Sequence, residues 1–439
     1  MNSSETLLIG GVDPIVVLFY VVIAIVVCGI LYAVITGIIN IATNSRTTAQ
    51  PENIQRIKNE QIAALEPKFV GPFAGNKGIS DVVNAIPEDQ RLLINTTVLT
   101  TRLTGYLGPF NSGVFDEDAA TRFALSTGAR CLVIEVGRDT DGFEPSLIYR
   151  DGFGFKQSLN TGSIENVAKS IAGRAFSPRN DAVPPGVAND PLIVVVYIVS
   201  APDVATQPKD HVRFLGKIAA QLQPLRNLIL AQTPQGDFRR QAQESQLFFT
   251  PTSVFNGRII MLCNADTTVF RRLESLGLKG ELNDKNDLDI LINARLYSKE
   301  SPSGLGITSQ PTSNITPACV VTTQGYWMNT PPDRLADAQQ QTKRSWCLVM
   351  EKTADSSVVK DESDLKKLYD IYGVQSIAFT IFEDPKTVSM FIGRNQKFNK
   401  TPWALKPEGI RFIRPTPIIV LKQSAQANAG GGALVAPRF

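Results

Sequence analysis

His211 is the one histidine in 439 residues, and it limits the chemistry available to the chain. Mechanisms that need two imidazoles, as a base–acid pair or a multi-histidine metal site, cannot be assembled within one copy. His211 follows Asp210 near the start of a helical pattern, where an ordinary surface position is expected. Five cysteines are too few for a disulfide scaffold over this length, and no pair has the C-x-x-C spacing of a zinc site. Cys131 and Cys263 lie in apolar runs and read as core residues rather than nucleophiles, since no imidazole can partner them. The run Arg138–Glu144 (RDTDGFE) carries three carboxylates but lacks the spacing of an EF-hand loop, and reads as a solvated turn between strands. Gly430 to Gly432 follow no strand and read as a flexible tail, not a phosphate loop.

The elements around these residues are set first by one apolar segment. Ile15 to Ile39 runs 25 residues without a charge. As a helix it would be about 37 Å long, enough to cross a hydrocarbon core of about 30 Å. A cleaved signal peptide fits poorly, because the preceding residues 1–14 hold Glu5 and Asp13 and no cation. Arg46, Arg56 and Lys58 follow the span, so the positive-inside rule places the C-terminal part on the cytosolic side. That side agrees with unpaired cysteines and would leave the sequons at Asn95, Asn314 and Asn399 unused. Lys+Arg number 44 against 41 Asp+Glu, so no broad footprint for nucleic acid appears.

Residues 40–87 read as a juxtamembrane stretch: a polar linker, Asn40 to Gln50, then a helix opened by Pro51. In that helix Ile54, Ile57, Ile62 and Leu65 recur at helical spacing before Pro67 stops it. It either lies on the membrane or docks on the following domain, and docking is favoured. From Glu88 the pattern alternates. Short apolar runs read as buried strands: Leu92–Leu99, Cys131–Val136, Leu192–Val199, Ile259–Leu262, Leu288–Ile292, Trp346–Met350, Ser376–Ile381 and Ile418–Leu421. Helical patterns lie between several of them, at Asp116–Leu125, Ser163–Ala175, His211–Leu222 and Glu362–Ile371. Continuous β-branched runs suit a parallel sheet covered on both faces, hence a closed β/α barrel or a doubly wound sheet. Ser301 to Pro317 reads as a long surface loop, and residues 422–439 as an extended Gly/Ala-rich tail.

Several short stretches sharpen this. TTRLTG (Thr100–Gly105) is similar to N-T-Y-L-T-G. Gly128-Ala129-Arg130-Cys131 is similar to G-C-R-C before a strand written E-L-D, and Glu144-Pro145 with Ile148-Tyr149-Arg150 to E-P-x-x-Y-H. Ala175-Phe176-Ser177-Pro178 is similar to A-F…S-P, Gly373 to Ala378 to G-x-Q-x-x-A, and Leu405-Lys406-Pro407-Glu408 with Arg411 to L-K-P-E-x-x-R. In this order, from Leu92 to Arg414, they resemble the catalytic barrel of phosphoinositide-specific phospholipase C. The resemblance implies a distorted TIM-type (β/α)8 barrel over residues 88–421, with a loop insertion near 299–340 between its halves.

The same resemblance implies altered chemistry. The family's first histidine falls on Leu99 and its adjacent asparagine ligand on Thr100. The two acidic positions of E-L-D fall on Val133 and Glu135, the second histidine on Arg150, the third-strand glutamate on Tyr197 and a phosphate-reading lysine near Leu262. Leucine cannot donate to an oxyanion, and an arginine with a pKa above about 12 cannot exchange protons at neutral pH. One carboxylate cannot satisfy calcium, which wants roughly six to eight oxygens. On this reading no metal and no cofactor is expected, Leu99 and Arg150 are degenerate catalytic positions, and the chain is not an enzyme. Arg150 and Glu135 are the candidate ligand-binding residues, for a phosphoinositide headgroup.

Three functional readings follow. The first is a membrane-anchored barrel with a structural or docking role toward other proteins of a membrane-associated assembly. Ordering the tail and anchor would cost about 1–2 kcal/mol per residue, so neighbours are expected to hold them. A virus capsid with an inner membrane, using the chain as a minor capsid or anchor component, is one such setting. The second is an anionic-lipid-binding module, although three juxtamembrane cations fall short of the roughly four to eight usual for such sites. The third is a phosphodiesterase with rebuilt chemistry, using Glu135 or Asp139 as base and Arg150 as electrostatic stabiliser.

Overall fold

The computed structural model describes residues 14–414, except 47–49, 70–76, 139–142, 152–153, 178–182, 231–245, 299–315, 355–360, 383–384, 393–396 and 399–400. The expected strand Ile418–Leu421, the tail, Asp139 and the sequons at Asn314 and Asn399 lie outside the described residues.

Helix α1 spans Pro14–Arg46. Its apolar stretch Ile15–Val34 has a mean hydropathy of 3.0, and none of it is buried. This is the one helix among the described residues long and apolar enough to cross a membrane. Helix α2 (Pro51–Phe69) docks on the domain. Leu65 and Phe69 are buried, with Ile54, Ile57 and Ile62 packed beside them. Phe69 lies 6.4 Å from the Phe123 ring on α3 (Glu117–Ser126). Lys58 pairs with Asp116 at 2.9 Å and Glu66 with Arg122 at 3.3 Å. Pro67 was expected to end α2, but the helix continues to Phe69. The ring forfeits only one backbone bond near the end of a helix, and the buried Phe69 holds the last turn in place.

Twelve strands follow: β1 (Thr96–Thr101), β2 (Tyr106–Gly108), β3 (Val114–Phe115), β4 (Cys131–Arg138), β5 (Pro145–Leu147), β6 (Leu192–Ile198), β7 (Ile259–Cys263), β8 (Ala294–Ser298), β9 (Cys319–Thr322), β10 (Trp346–Val349), β11 (Ser376–Phe379) and β12 (Trp403–Leu405). Eight of them close a parallel barrel in the order β1-β4-β6-β7-β8-β9-β10-β11, and β11 returns to β1. β5 adds antiparallel to β4, and β12 antiparallel to β1. The distorted TIM-type barrel expected from the sequence is therefore present.

Side chains alternate across each strand because the pleat has period two. Val98, Cys131, Val133, Ile193, Val195, Ile260, Leu262, Leu296, Val321, Trp346, Leu348 and Ala378 fill the interior. Their neighbours Leu99, Leu132, Ile134, Val194, Val196, Met261, Cys347 and Ile377 belong to the outer cluster beneath the helices. Both faces are covered, which is why the strands read as unbroken apolar runs.

Three barrel strands differ from expectation. The run Leu92–Leu99 opens with a single 3-10 turn at Leu93–Asn95 and is strand only from Thr96. Leu288–Ile292 is not a strand. Leu288–Leu291 forms a single helical turn capped by Asp287, whose side chain accepts from the Asp289 amide, and the strand is β8 just after it. A short apolar run does not distinguish the two states by itself. The stretch near 299–340 is more than a loop insertion, since it contains β9 and the helices Gln324–Met328 and Leu335–Arg344. With four residues, β9 is too short to show a period. The helix Pro208–Gln221 begins one turn before the expected start at His211, with proline at its first position. His211 is buried, with Nδ1 2.8 Å from the Pro202 carbonyl, so the expected surface position is corrected.

Candidate functional site

In parallel β/α barrels the C-terminal ends of the strands form the mouth where chemistry is placed. Inward side chains at that end follow from the alternation. On β4 the inner residues are Cys131, Val133 and then Glu135. Immediately after β1, Arg102 continues the inner face of Val98 and Thr100. The two meet across the mouth: Arg102 Nε donates to Glu135 Oε1 at 2.7 Å, and their side chains are 2% and 7% exposed. Arg102 Nη1 also donates to the carbonyls of Glu351 and Thr353, each at 3.1 Å, in the loop after β10.

Tyr197 is the register partner of Glu135 on the adjacent β6, so both side chains share one face. Its phenol is pushed up to about 12 by burial and then by the Glu135 charge, against the opposing pull of Arg102. A cavity of about 20 Å³ opens beside it, lined by Tyr197, Ser298, Thr322, Thr323, Glu351 and Lys352 among others. That volume suits a single water. Two larger grooves, of about 660 and 610 Å³, lie outside the barrel against helices.

The remaining sequence-predicted positions are not gathered at this mouth. Leu99 lies in the outer cluster, under the helices. Thr100 faces inward, its Oγ1 2.5 Å from Ser376 Oγ, level with Cys131 and below Arg102. Val133 and Leu262 belong to the apolar interior. Among the described residues Glu135 pairs with Arg102, not with Arg150. Arg150 Nη1 donates to the Gly154 carbonyl at 2.8 Å and its Nη2 to the Arg138 carbonyl at 3.2 Å, tying a surface turn together. Both residues expected to bind a ligand are thus engaged within the chain, Arg150 with these two carbonyls and Glu135 with Arg102. The sequon residue Asn95 is buried. Its Nδ2 donates to the carbonyls of Gln90 and Phe412, and its Oδ1 accepts from the Phe412 amide.

Sequence reasoning passed over Arg102, although it stands in the quoted TTRLTG. The available signal was the period of two: Thr100 and Arg102 share a face, as do Val133 and Glu135.

The fold is similar to that of phospholipase C barrels. A PLC21 structure from L. pealei matches with 14% identity and a TM-score of 0.46, covering 73% of this chain and 38% of that one. A calcium-dependent phosphoinositol-specific phospholipase C from Pseudomonas sp. matches at 11% identity and a TM-score of 0.39, covering 77% and 99%. A calcium-dependent phosphatidylinositol-specific enzyme from Streptomyces antibioticus matches at 8% and 0.42, covering 72% and 99%. The chain thus spans about two fifths of the L. pealei structure. No family model matches the chain, and no curated protein does.

These neighbours correct one expectation. The solved structures that the chain is similar to are those of phospholipase C enzymes, and the reading of the chain as a non-enzyme is withdrawn. Calcium is a separate matter. Among the described residues no three His, Cys, Asp or Glu side chains group as metal ligands would. The inward carboxylate of Glu135 already holds a guanidinium. Calcium requires roughly six to eight oxygens, so the described mouth does not suit that ion.

Proposed function

We propose that the chain is a single-pass membrane protein that holds a phospholipase C-like barrel against the cytosolic face of a bilayer, where the barrel exterior docks other proteins. One observation carries this reading. The helix that follows the apolar α1 is packed into the barrel's own core through Leu65 and Phe69 and clamped by Lys58–Asp116 and Arg122–Glu66. A tether built into the core restrains the domain, whereas a polar linker would let it wander. Arg46, Arg56 and Lys58, on the C-terminal side of the apolar stretch, support the cytosolic side. A capsid setting finds no support in the fold or in its likenesses and forms no part of the proposal.

A second reading is favoured by the ion pair. A buried Arg102–Glu135 pair at a barrel mouth is expensive to maintain, and such arrangements gather at reacting sites. It would supply a carboxylate base and a fixed cation for a phosphoryl ester of the lipid surface.

Native membranes carrying the full chain separate the two. The docking reading expects resistance to alkaline extraction, a barrel open to protease from the cytosolic side, and release by mild detergent in a complex larger than the monomer. A protease-protected barrel would sink the topology. A lone monomer that cleaves phosphatidylinositol, with activity lost in Glu135→Gln, would replace docking with the second reading.

A further inference from the structure

The loop after β10 crosses the mouth and is fastened from below. Its N-terminal end is fixed where the Met350 amide donates to the Thr322 carbonyl at 2.9 Å, and Ala354 at the other end is buried. Between them the Glu351 and Thr353 carbonyls both accept from Arg102 Nη1 at 3.1 Å. The Glu351 side chain is engaged as well, with Oε1 accepting from the Gln324 amide at 2.9 Å. Met350, Glu351 and Lys352 form one wall of the cavity of about 20 Å³.

We propose that residues 350–354 form a strap latched over the barrel mouth by Arg102, and that access to Glu135 and the cavity beside Tyr197 widens when the latch opens. The geometry favours a latch over plain packing for three reasons. Both carbonyls belong to the loop, whereas the carboxylate on the same guanidinium belongs to the barrel wall, so the strap can leave while Arg102 stays paired with Glu135. Arg102 Nη2 donates to no group among the described residues, so the guanidinium keeps a donor for an entering acceptor. Lys352 at the strap's middle is exposed, so the strap can lift there while the buried Met350 and Ala354 hold its ends. Arginine suits this task because its planar fork serves the barrel with Nε and the loop with Nη1, which a lysine ammonium on a flexible stem cannot reproduce. Glu135, Glu351 and Lys352 are the charged side chains around it, and the strap's release changes none of their charges.

Hydrogen exchange on the full chain in detergent tests this, comparing the natural protein with Arg102→Lys. Hydrogen bonds to a charged group are strong enough that losing the fork should speed exchange in 350–354 by about tenfold or more. The β1 and β4 segments should exchange as before. Should Arg102→Lys loosen those strands too, the double variant Arg102→Gln/Glu135→Gln carries the test, since it buries no lone charge. Unchanged exchange in 350–354, in whichever variant keeps its barrel, overturns the latch.

Discussion

Arg102 and Glu135, 33 residues apart in sequence, form an ion pair at 2.7 Å with both side chains almost fully buried. They join the end of β1 to β4, where only Thr100–Cys131 and Thr101–Leu132 stand in ladder register. The pair therefore helps close the barrel at a short seam, besides furnishing the mouth with charge. Removing one partner leaves the other charge buried without compensation. Arg102→Met or Glu135→Gln alone should lower the unfolding free energy by roughly 3–5 kcal/mol. The double variant Arg102→Met/Glu135→Leu should recover much of that loss. Denaturant titrations of the four proteins in detergent check it, and equal, additive losses would refute the coupling.

Lys406 lies at the opposite end of the barrel and is fully buried, its Nζ donating to the Thr342 carbonyl at 2.7 Å. Burial pulls its ammonium down to about 7. Between that value and the unfolded value near 10.5, the unfolded chain holds a proton that the folded chain has released. Stability should therefore rise as pH climbs from about 7 toward 10. Lys406→Met should abolish this rise and be the more stable protein at pH 7. Thermal melts at several pH values would show a parallel slope in both proteins if Lys406 were not responsible.

Asp190 works in the other direction. Both of its oxygens accept from the Ile79 amide at 3.0 Å. Burial pushes the carboxyl up to about 6, against the opposing pull of the Ile79 amide and Arg130. The folded state then binds more protons than the unfolded chain between about pH 4 and 6. Its contribution is complete below about pH 4 and is lost as pH rises through 6, amounting to roughly 3 kcal/mol. In Asp190→Asn, which keeps an acceptor for Ile79, the fall over this window should disappear. An unaltered pH profile would show that other groups cause it.

The docking of α2 can be tested through Phe69. Phe69→Ala removes a ring packed on Phe123 and should cost about 3–5 kcal/mol if α2 folds cooperatively with the barrel. If α2 instead opens by itself, the barrel's melting point should barely move while trypsin gains access at Arg56 and Lys58. Neither change would mean that α2 adds nothing to the core.

The sequence by itself determined what local physics can determine. An uncharged run of 25 residues marks one long apolar helix, long enough to cross a membrane. Unbroken β-branched runs such as Leu192–Val199 can be satisfied only between two covered faces. The spacing of Ile54, Ile57, Ile62 and Leu65 already marked a docking face. Short elements escaped for a physical reason: Leu288–Leu291 and Cys319–Thr322 have four residues each, too few for a period of 2 or 3.6 to declare itself. The candidate site was legible only in part. Glu135 was visible as an acid in an apolar strand, but nothing local named its partner, and Arg150 was read as a ligand-binding residue in its own right. The tertiary structure alone decided that the partner is Arg102, because a closed barrel brings the end of β1 against β4 and turns every second side chain inward. The same closure placed Leu99 under the helices and buried His211, since facing and burial depend on which strands become neighbours, and no local pattern encodes that.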